Sequence, residues 1–169
     1  MNTNLKLPKI FGLGLSKTGT KSTAKALQIL GVKTIHLPSI QTLFNDGENY
    51  QAFLDIPCLA FLPQIRELYP NALFINTTRD LKPWLSSCQN HFKPTNNAYF
   101  LQLRKLIYDC DKFDEVKFIN AYRQQQEIVN EVDENIICTL KLEDSDNDKW
   151  QVLSTFLNFK NPKIKYPHL

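Results

Sequence analysis

Residues Gly12-Leu-Gly14-Leu-Ser16-Lys17-Thr18-Gly19-Thr20-Lys21-Ser22 decide how the rest of the chain is read. Before them runs Lys9–Leu15, with Ile10, Phe11 and Leu13 apolar, which predicts a strand. After them Ala24, Leu27 and Leu30 recur at helical spacing until Gly31, which predicts a helix over Ser22–Leu30. A turn that leads from a strand into a helix exposes backbone N–H groups, and the helix dipole adds about half a positive charge there. Gly19 lets the backbone turn back and approach an anion closely, and Lys17 adds a full charge. Thr20, Ser22 and Thr23 contribute hydroxyls. Ser16, Lys17, Thr18, Gly19, Thr20, Lys21 and Ser22 are therefore the candidate ligands to a phosphate group.

Outward from this turn, strand and helix patterns alternate, which predicts a three-layer α/β/α domain with a mostly parallel central sheet. Val32–His36 reads as a short strand, and Leu73–Thr78 as the central one, nearly all apolar or β-branched. Pro57–Tyr69 reads as a helix with Cys58, Phe61, Leu62, Ile65, Leu68 and Tyr69 on one stripe, kinked or shortened at Pro63. Asp80 is expected to cap a helix that runs to about His91. Helices over Asn97–Tyr108 and Asp114–Val132, a strand over Ile136–Leu140 and a helix over Lys149–Leu157 complete the pattern. In the Asp114–Val132 helix, Val116, Ile119, Tyr122, Val129 and Val132 are assigned to one face, and in the last helix Val152, Leu153 and Phe156 point inward. No repeat or low-complexity linker divides the chain, so residues 1–169 are read as one domain.

Composition agrees with a folded domain: 43% of residues are hydrophobic and 22% charged. The net charge of +3 suits an anionic small ligand and is too slight for a dedicated nucleic-acid binder. Cys58, Cys88, Cys110 and Cys138 form no CxxC pair and only three histidines are available, so no metal site is expected. They read as buried thiols in a reducing compartment. No signal-peptide h-region precedes Gly12 and no apolar run is long enough to span a bilayer, which makes the cytoplasm the expected location, with no membrane partner.

Three nucleotide loops compete for the opening motif. Gly14 and Gly19 have Walker A spacing, but Thr20 occupies the lysine position and Lys21 comes one residue late. The dinucleotide fingerprint fails because Lys17 stands where its third glycine belongs. The remaining pattern, Lys17-Thr-Gly19-Thr20-Lys21-Ser22, resembles the 5′-phosphosulfate loop of sulfotransferases that use 3′-phosphoadenosine 5′-phosphosulfate (PAPS). A second segment, Thr77-Thr78-Arg79-Asp80-Leu81-Lys82-Pro83-Trp84-Leu85-Ser86-Ser87, resembles the same family's site for the cofactor's 3′-phosphate, an arginine at a strand end and a serine eight residues later. Arg79 and Ser87 have that spacing, and a guanidinium can hold a phosphate with two parallel hydrogen bonds. Asp55-Ile-Pro57, Leu68-Tyr-Pro-Asn-Ala72, Tyr122, Trp150–Leu157 and Pro167-His168 extend the resemblance, to a branch of small sulfotransferase-like proteins, over nearly the whole chain.

The resemblance implies a P-loop NTPase-like fold and transfer of a sulfuryl group from PAPS to a hydroxyl or amine of a small acceptor, without a metal. It implies that Lys17 stabilises the leaving oxygen and that the Gly19–Lys21 amides hold the 5′-phosphate. Asp55 and His36 are the candidates for the base, Asp55 first because it matches the small-member branch better. His36 lies at a strand's carboxyl edge, where α/β sheets bind ligands, and its usual pKa of ~6.5 suits a base near neutrality. The Arg-Lys-Gly loop of longer members is absent, so cofactor binding is weaker, other residues substitute, or the chain is a non-catalytic nucleotide-binding module. An atypical P-loop kinase or NTPase is the other alternative. The acceptor pocket is expected from 38–55 and 90–113, with Phe92, Tyr99, Phe100 and Tyr108 as candidate lining, whereas the acceptor itself and the oligomeric state are not legible.

Overall fold

A computed structural model describes residues 7–45 and 48–169. The reading of the first six residues, and the middle of the expected 38–55 pocket wall, lie outside the described residues. The sheet has five parallel strands: β1 (Ile10–Gly12), β2 (Thr34–His36), β3 (Ala52–Leu54), β4 (Leu73–Thr78) and β5 (Ile137–Lys141), in the order β2-β3-β1-β4-β5. Among the described residues eight α-helices connect or follow them: α1 (Thr20–Ile29), α2 (Ile40–Phe44), α3 (Ile56–Ala60), α4 (Leu62–Leu68), α5 (Leu81–His91), α6 (Ala98–Tyr108), α7 (Glu115–Asn130) and α8 (Asp146–Leu157).

Alternation along β1 divides the core, because successive side chains of a strand face opposite ways. Ile10 joins Ala24 and Leu27 of α1 and Trp150 and Leu153 of α8 on one face. Phe11 joins Phe53, Phe74, Leu62 and Ile65 on the other and stacks on Phe53 at 5.2 Å between ring centroids. These are the two outer layers of the α/β/α sandwich. A third apolar cluster, around Leu15, Trp84, Tyr108 and Phe118, packs α3, α5, α6 and α7 beside the carboxyl end of β1. The chain leaves β1 toward β2 on one side and β4 toward β5 on the other, so a crevice opens between the ends of two neighbouring strands, the place where open α/β sheets bind ligands.

Several expectations are corrected. The Pro57–Tyr69 helix is two, α3 and α4, broken at Phe61. Pro63 has no N–H to give and its ring crowds the carbonyl four residues back, so it sits in the first turn of a new helix. Strand β3 and helix α2 were not anticipated, being too short for any periodicity to register. Val116 is 68% exposed: it lies about 200° around α7 from Phe118, whose neighbours Ala121 and Gln125 form the buried face. Leu68 and Val152 are likewise exposed, whereas Trp150 and Leu153 of α8 are buried. Asp80 does stand at the N-cap of α5, its carbonyl accepting from the Trp84 amide at 3.0 Å, but its carboxylate makes no capping bond and pairs with Lys141 of β5 at 2.9 Å.

All four cysteines are free; Cys58, Cys88 and Cys138 are buried and Cys110 is half-buried. Burial pushes the Cys88 and Cys138 thiols up to about 12, so they stay protonated. Among the described residues no helix is long and apolar enough to cross a membrane.

Candidate functional site

The loop between β1 and α1 is braced from several directions. The Leu13 amide donates to Ile75 of β4 at 2.9 Å, and its carbonyl accepts from the buried Gln125 of α7 at 2.9 Å. Gly14 passes so close to β4 that a Cβ there would lie 1.9 Å from Thr77 Oγ1 and 2.7 Å from the Thr77 carbonyl oxygen. Thr18 Oγ1 donates to the Leu15 carbonyl at 2.6 Å and meets Thr77 Oγ1 at 2.7 Å. Trp84 of α5, wholly buried, donates from Nε1 to the Ser16 carbonyl at 2.9 Å. Held in this way, the backbone takes left-handed conformations at Lys17 (φ 71°) and Gly19 (φ 98°). Among the described residues the amides of Lys17 to Ser22 have no acceptor, and they converge on the positive end of α1.

A cleft of about 360 Å³ opens over these amides. Lys17, Gly19, Thr20 and Lys21 line it from the loop and α1; Arg79 and Ser87 line it from the end of β4 and from α5. His36, from the carboxyl end of β2, and Asp55, just after β3, line it too. The structure thus brings together the two motifs that the sequence keeps more than 50 residues apart. The Lys17 ammonium has no ion pair or hydrogen bond among the described residues. Arg79 is held at its carbonyl by the Tyr122 hydroxyl at 2.8 Å, while its buried Nε lacks a hydrogen bond and faces Glu143 at 3.8 Å.

The hydroxyls are less available than their number suggests. Ser16 Oγ donates to Asp55 Oδ1 at 3.0 Å. Thr18 is consumed in bracing the loop and does not line the cleft. Ser22 Oγ accepts from the Leu169 amide at 3.0 Å, and Thr23 Oγ1 accepts from the buried Tyr166 hydroxyl at 3.0 Å. Thr20 Oγ1 lies 3.0 Å from His36 Nε2. That same nitrogen is 3.0 Å from Asp55 Oδ2. An ionised carboxylate can only accept, so Nε2 carries the proton, and in the neutral ring Nδ1 holds the lone pair. Asp55 Oδ1 also accepts from the Ile56 amide at 2.7 Å, which caps α3. Asp55 is 5% exposed and sits at φ 90°, a conformation that a non-glycine residue adopts only when its surroundings impose it.

The cradle of free amides, with an unpaired lysine at its mouth and an arginine and a serine across the crevice, is matched by a family comparison. A model described as a sulfotransferase domain fits residues 9–46 and 41–169. The chain belongs to the sulfotransferase domain family. Both matched segments contribute to the cleft of this sulfotransferase domain, the first with the loop and the second with Asp55, Arg79 and Ser87. Membership makes it a transferase of a sulfuryl-transferring family. A comparison with curated proteins found no match.

Sequence reasoning missed four contributors to the site of this sulfotransferase domain. Gln125 braces the loop and also donates to Asn76 of β4 at 2.8 Å; a glutamine on the buried stripe of an amphipathic helix was the available signal. In the sequence Trp84 is legible only as part of a motif, and Glu143 carries no signal. His91 lies seven residues from Trp84 on α5 and lines the cleft. Burial, then the nearby charges of Lys17 and Arg104, hold its pKa below the usual histidine value, with Asp55 opposing.

Proposed function

We propose that the protein transfers a sulfuryl group from PAPS to a small-molecule acceptor by in-line displacement. The observation that carries this reading is the set of acceptor-free amides at the start of α1 with Lys17 unpaired beside them, facing Arg79 and Ser87 in one cleft. Such a cradle fits a 5′-phosphate, and an arginine lining the same cleft fits a second phosphate. When bound, PAPS supplies the sulfuryl group and the adenosine bisphosphate that leaves. The Gly19–Lys21 amides hold the 5′-phosphate, with Ser16, Thr18 and Ser22 supporting the loop's shape. Lys17 neutralises the charge that builds on the leaving oxygen, and Thr20, accepting from His36, keeps its own proton free to donate toward the cleft. Arg79 and Ser87 hold the 3′-phosphate. Asp55, the carboxylate that lines the cleft, is already engaged by three donors, which disfavours its use as a magnesium ligand in a kinase. Four free thiols favour a reducing, cytoplasmic setting.

Titration calorimetry tests the reading. Tight binding of adenosine 3′,5′-bisphosphate without Mg²⁺ is expected, and Mg²⁺-dependent ATP binding in its place overturns it. Arg79→Ala is expected to weaken the bisphosphate by about 1.5–3 kcal/mol, the scale of a charged hydrogen bond, and to leave adenosine 5′-phosphosulfate unaffected. Equal affinity of the unmutated protein for those two ligands removes the role given to Arg79.

The acceptor's proton is assigned to the His36–Asp55 pair: His36 Nδ1 receives it, and Asp55, bonded to Nε2, holds the ring's tautomer and offsets the charge it gains. His36→Gln is expected to lower turnover roughly a hundredfold in steady-state assays while bisphosphate binding stays unchanged. Full turnover in that variant hands the base role to Asp55 alone.

A further inference from the structure

A second depression of about 430 Å³ adjoins the phosphate cleft and shares Ser16, His36, Asp55 and His91 with it. Beyond that seam its walls are mostly apolar, with Leu37, Ile56, Phe92, Phe100 and Leu103. Of the expected aromatic lining, Phe92 and Phe100 are present; Tyr108 is core, stacked on Phe118, and Tyr99 donates to the Pro38 carbonyl. The volume and lining suit a ring-bearing small molecule.

Outside the seam, the charge lining this groove is all positive. Lys93 and Arg104 are the charged residues that line it outside the seam. The carboxylate within it, Asp55, already accepts from Ser16, the Ile56 amide and His36. Arg104 is also immobilised. Its NH1 donates to the carbonyls of Lys93 at 2.8 Å and Asp111 at 2.9 Å, and its guanidinium lies over the Phe92 ring at 5.0 Å from the centroid. Nε and NH2 have no acceptor among the described residues, so the remaining edge of a fixed fork is left for a ligand. The Arg104 charge reaches the seam, where, after burial and the charge of Lys17, it adds to the lowering of the His91 pKa.

We infer that the acceptor is a hydroxyl-bearing ring compound that also carries a carboxylate, its ring against Phe92, Phe100 and Leu103 and its carboxylate on Arg104, and that cationic amines are disfavoured. This rests on the sulfuryl-transfer reading, so binding and turnover are measured separately. Three phenols of one shape serve as probes: 3-(4-hydroxyphenyl)propanoate, its primary amide, and tyramine. Their dissociation constants are read by ligand-observed NMR on the full chain saturated with adenosine 3′,5′-bisphosphate. The carboxylate is expected to bind about tenfold more tightly than the amide, the size of a solvent-discounted charged hydrogen bond, and tyramine most weakly. Arg104→Gln is expected to bring the carboxylate down to the level of the amide, and Arg104→Lys to restore part of the difference. Equal binding of carboxylate and amide, or a preference for tyramine, overturns the inference on the unmutated protein alone, whether or not the variants fold. Sulfation of the same phenols then reports on the reaction: a preserved carboxylate preference without turnover counts against sulfuryl transfer and leaves the groove's specificity standing.

Discussion

Lys17→Gly is expected to hold or slightly raise the melting temperature while lowering turnover about a hundredfold or more. Lys17 adopts φ 71°, where a side chain costs about 1 kcal/mol or more and glycine costs nothing. Glycine also loosens the unfolded chain, which returns part of that gain. The net change is therefore small, within about 2–4 °C for a chain of this size. The same substitution removes the Lys17 ammonium from the mouth of the cradle, and losing a donor aimed at developing charge costs about 10²–10³ in rate. Calorimetric melting and sulfuryl-transfer assays on one preparation give both numbers. If the glycine variant melts well below the parent, or turns over at the parental rate, Lys17 is a structural residue and the strain at its backbone has another cause.

Gly14→Ala is expected to do the opposite and attack the fold. The added Cβ would meet Thr77 Oγ1 at 1.9 Å and the Thr77 carbonyl oxygen at 2.7 Å. The hydroxyl can rotate away, but the carbonyl belongs to β4, which is paired to β1 and β5 on both sides. Overpacking against fixed backbone costs about 3 kcal/mol or more, so the melting point is expected to fall by roughly 5–10 °C, and bisphosphate binding with it as the loop is displaced. Adding Thr77→Ala to Gly14→Ala is expected to recover only part of the loss, because the carbonyl stays. A Gly14→Ala protein with parental melting and parental binding rules out the close approach of loop and strand.

The sequence was most informative where local rules suffice. The turn from β1 into α1, the helical spacing of Ala24 and Leu27 and the apolar run of β4 each declare themselves within a dozen residues, and together they carry the parallel α/β class. The loop's lysine and the Arg79–Ser87 pair were legible as motifs and do line one cleft. What could not be read is what long-range contact decides. A three-residue strand such as β3 has no period of its own; pairing with β1 and β2 makes it a strand. The fate of the loop's hydroxyls was equally hidden, because Ser16, Thr18 and Ser22 are claimed by Asp55, Thr77 and Leu169, partners far away in the chain. In the sequence Asp55 and His36 are rival candidates for one role, and only their 3.0 Å contact presents them as a pair.

The braces on the loop come from ever later parts of the chain: Asp55 lies 39 residues beyond its partner, Trp84 68, Gln125 112 and Tyr166 143. A ribosome therefore releases the loop between β1 and α1 well before the parts that shape it. Until α7 and the residues after α8 have docked, the nascent loop has its glycines and its lysine but no fixed geometry to present. On the proposed reading, nucleotide capture waits for these long contacts, since only a chain that has closed them has a cradle to fill.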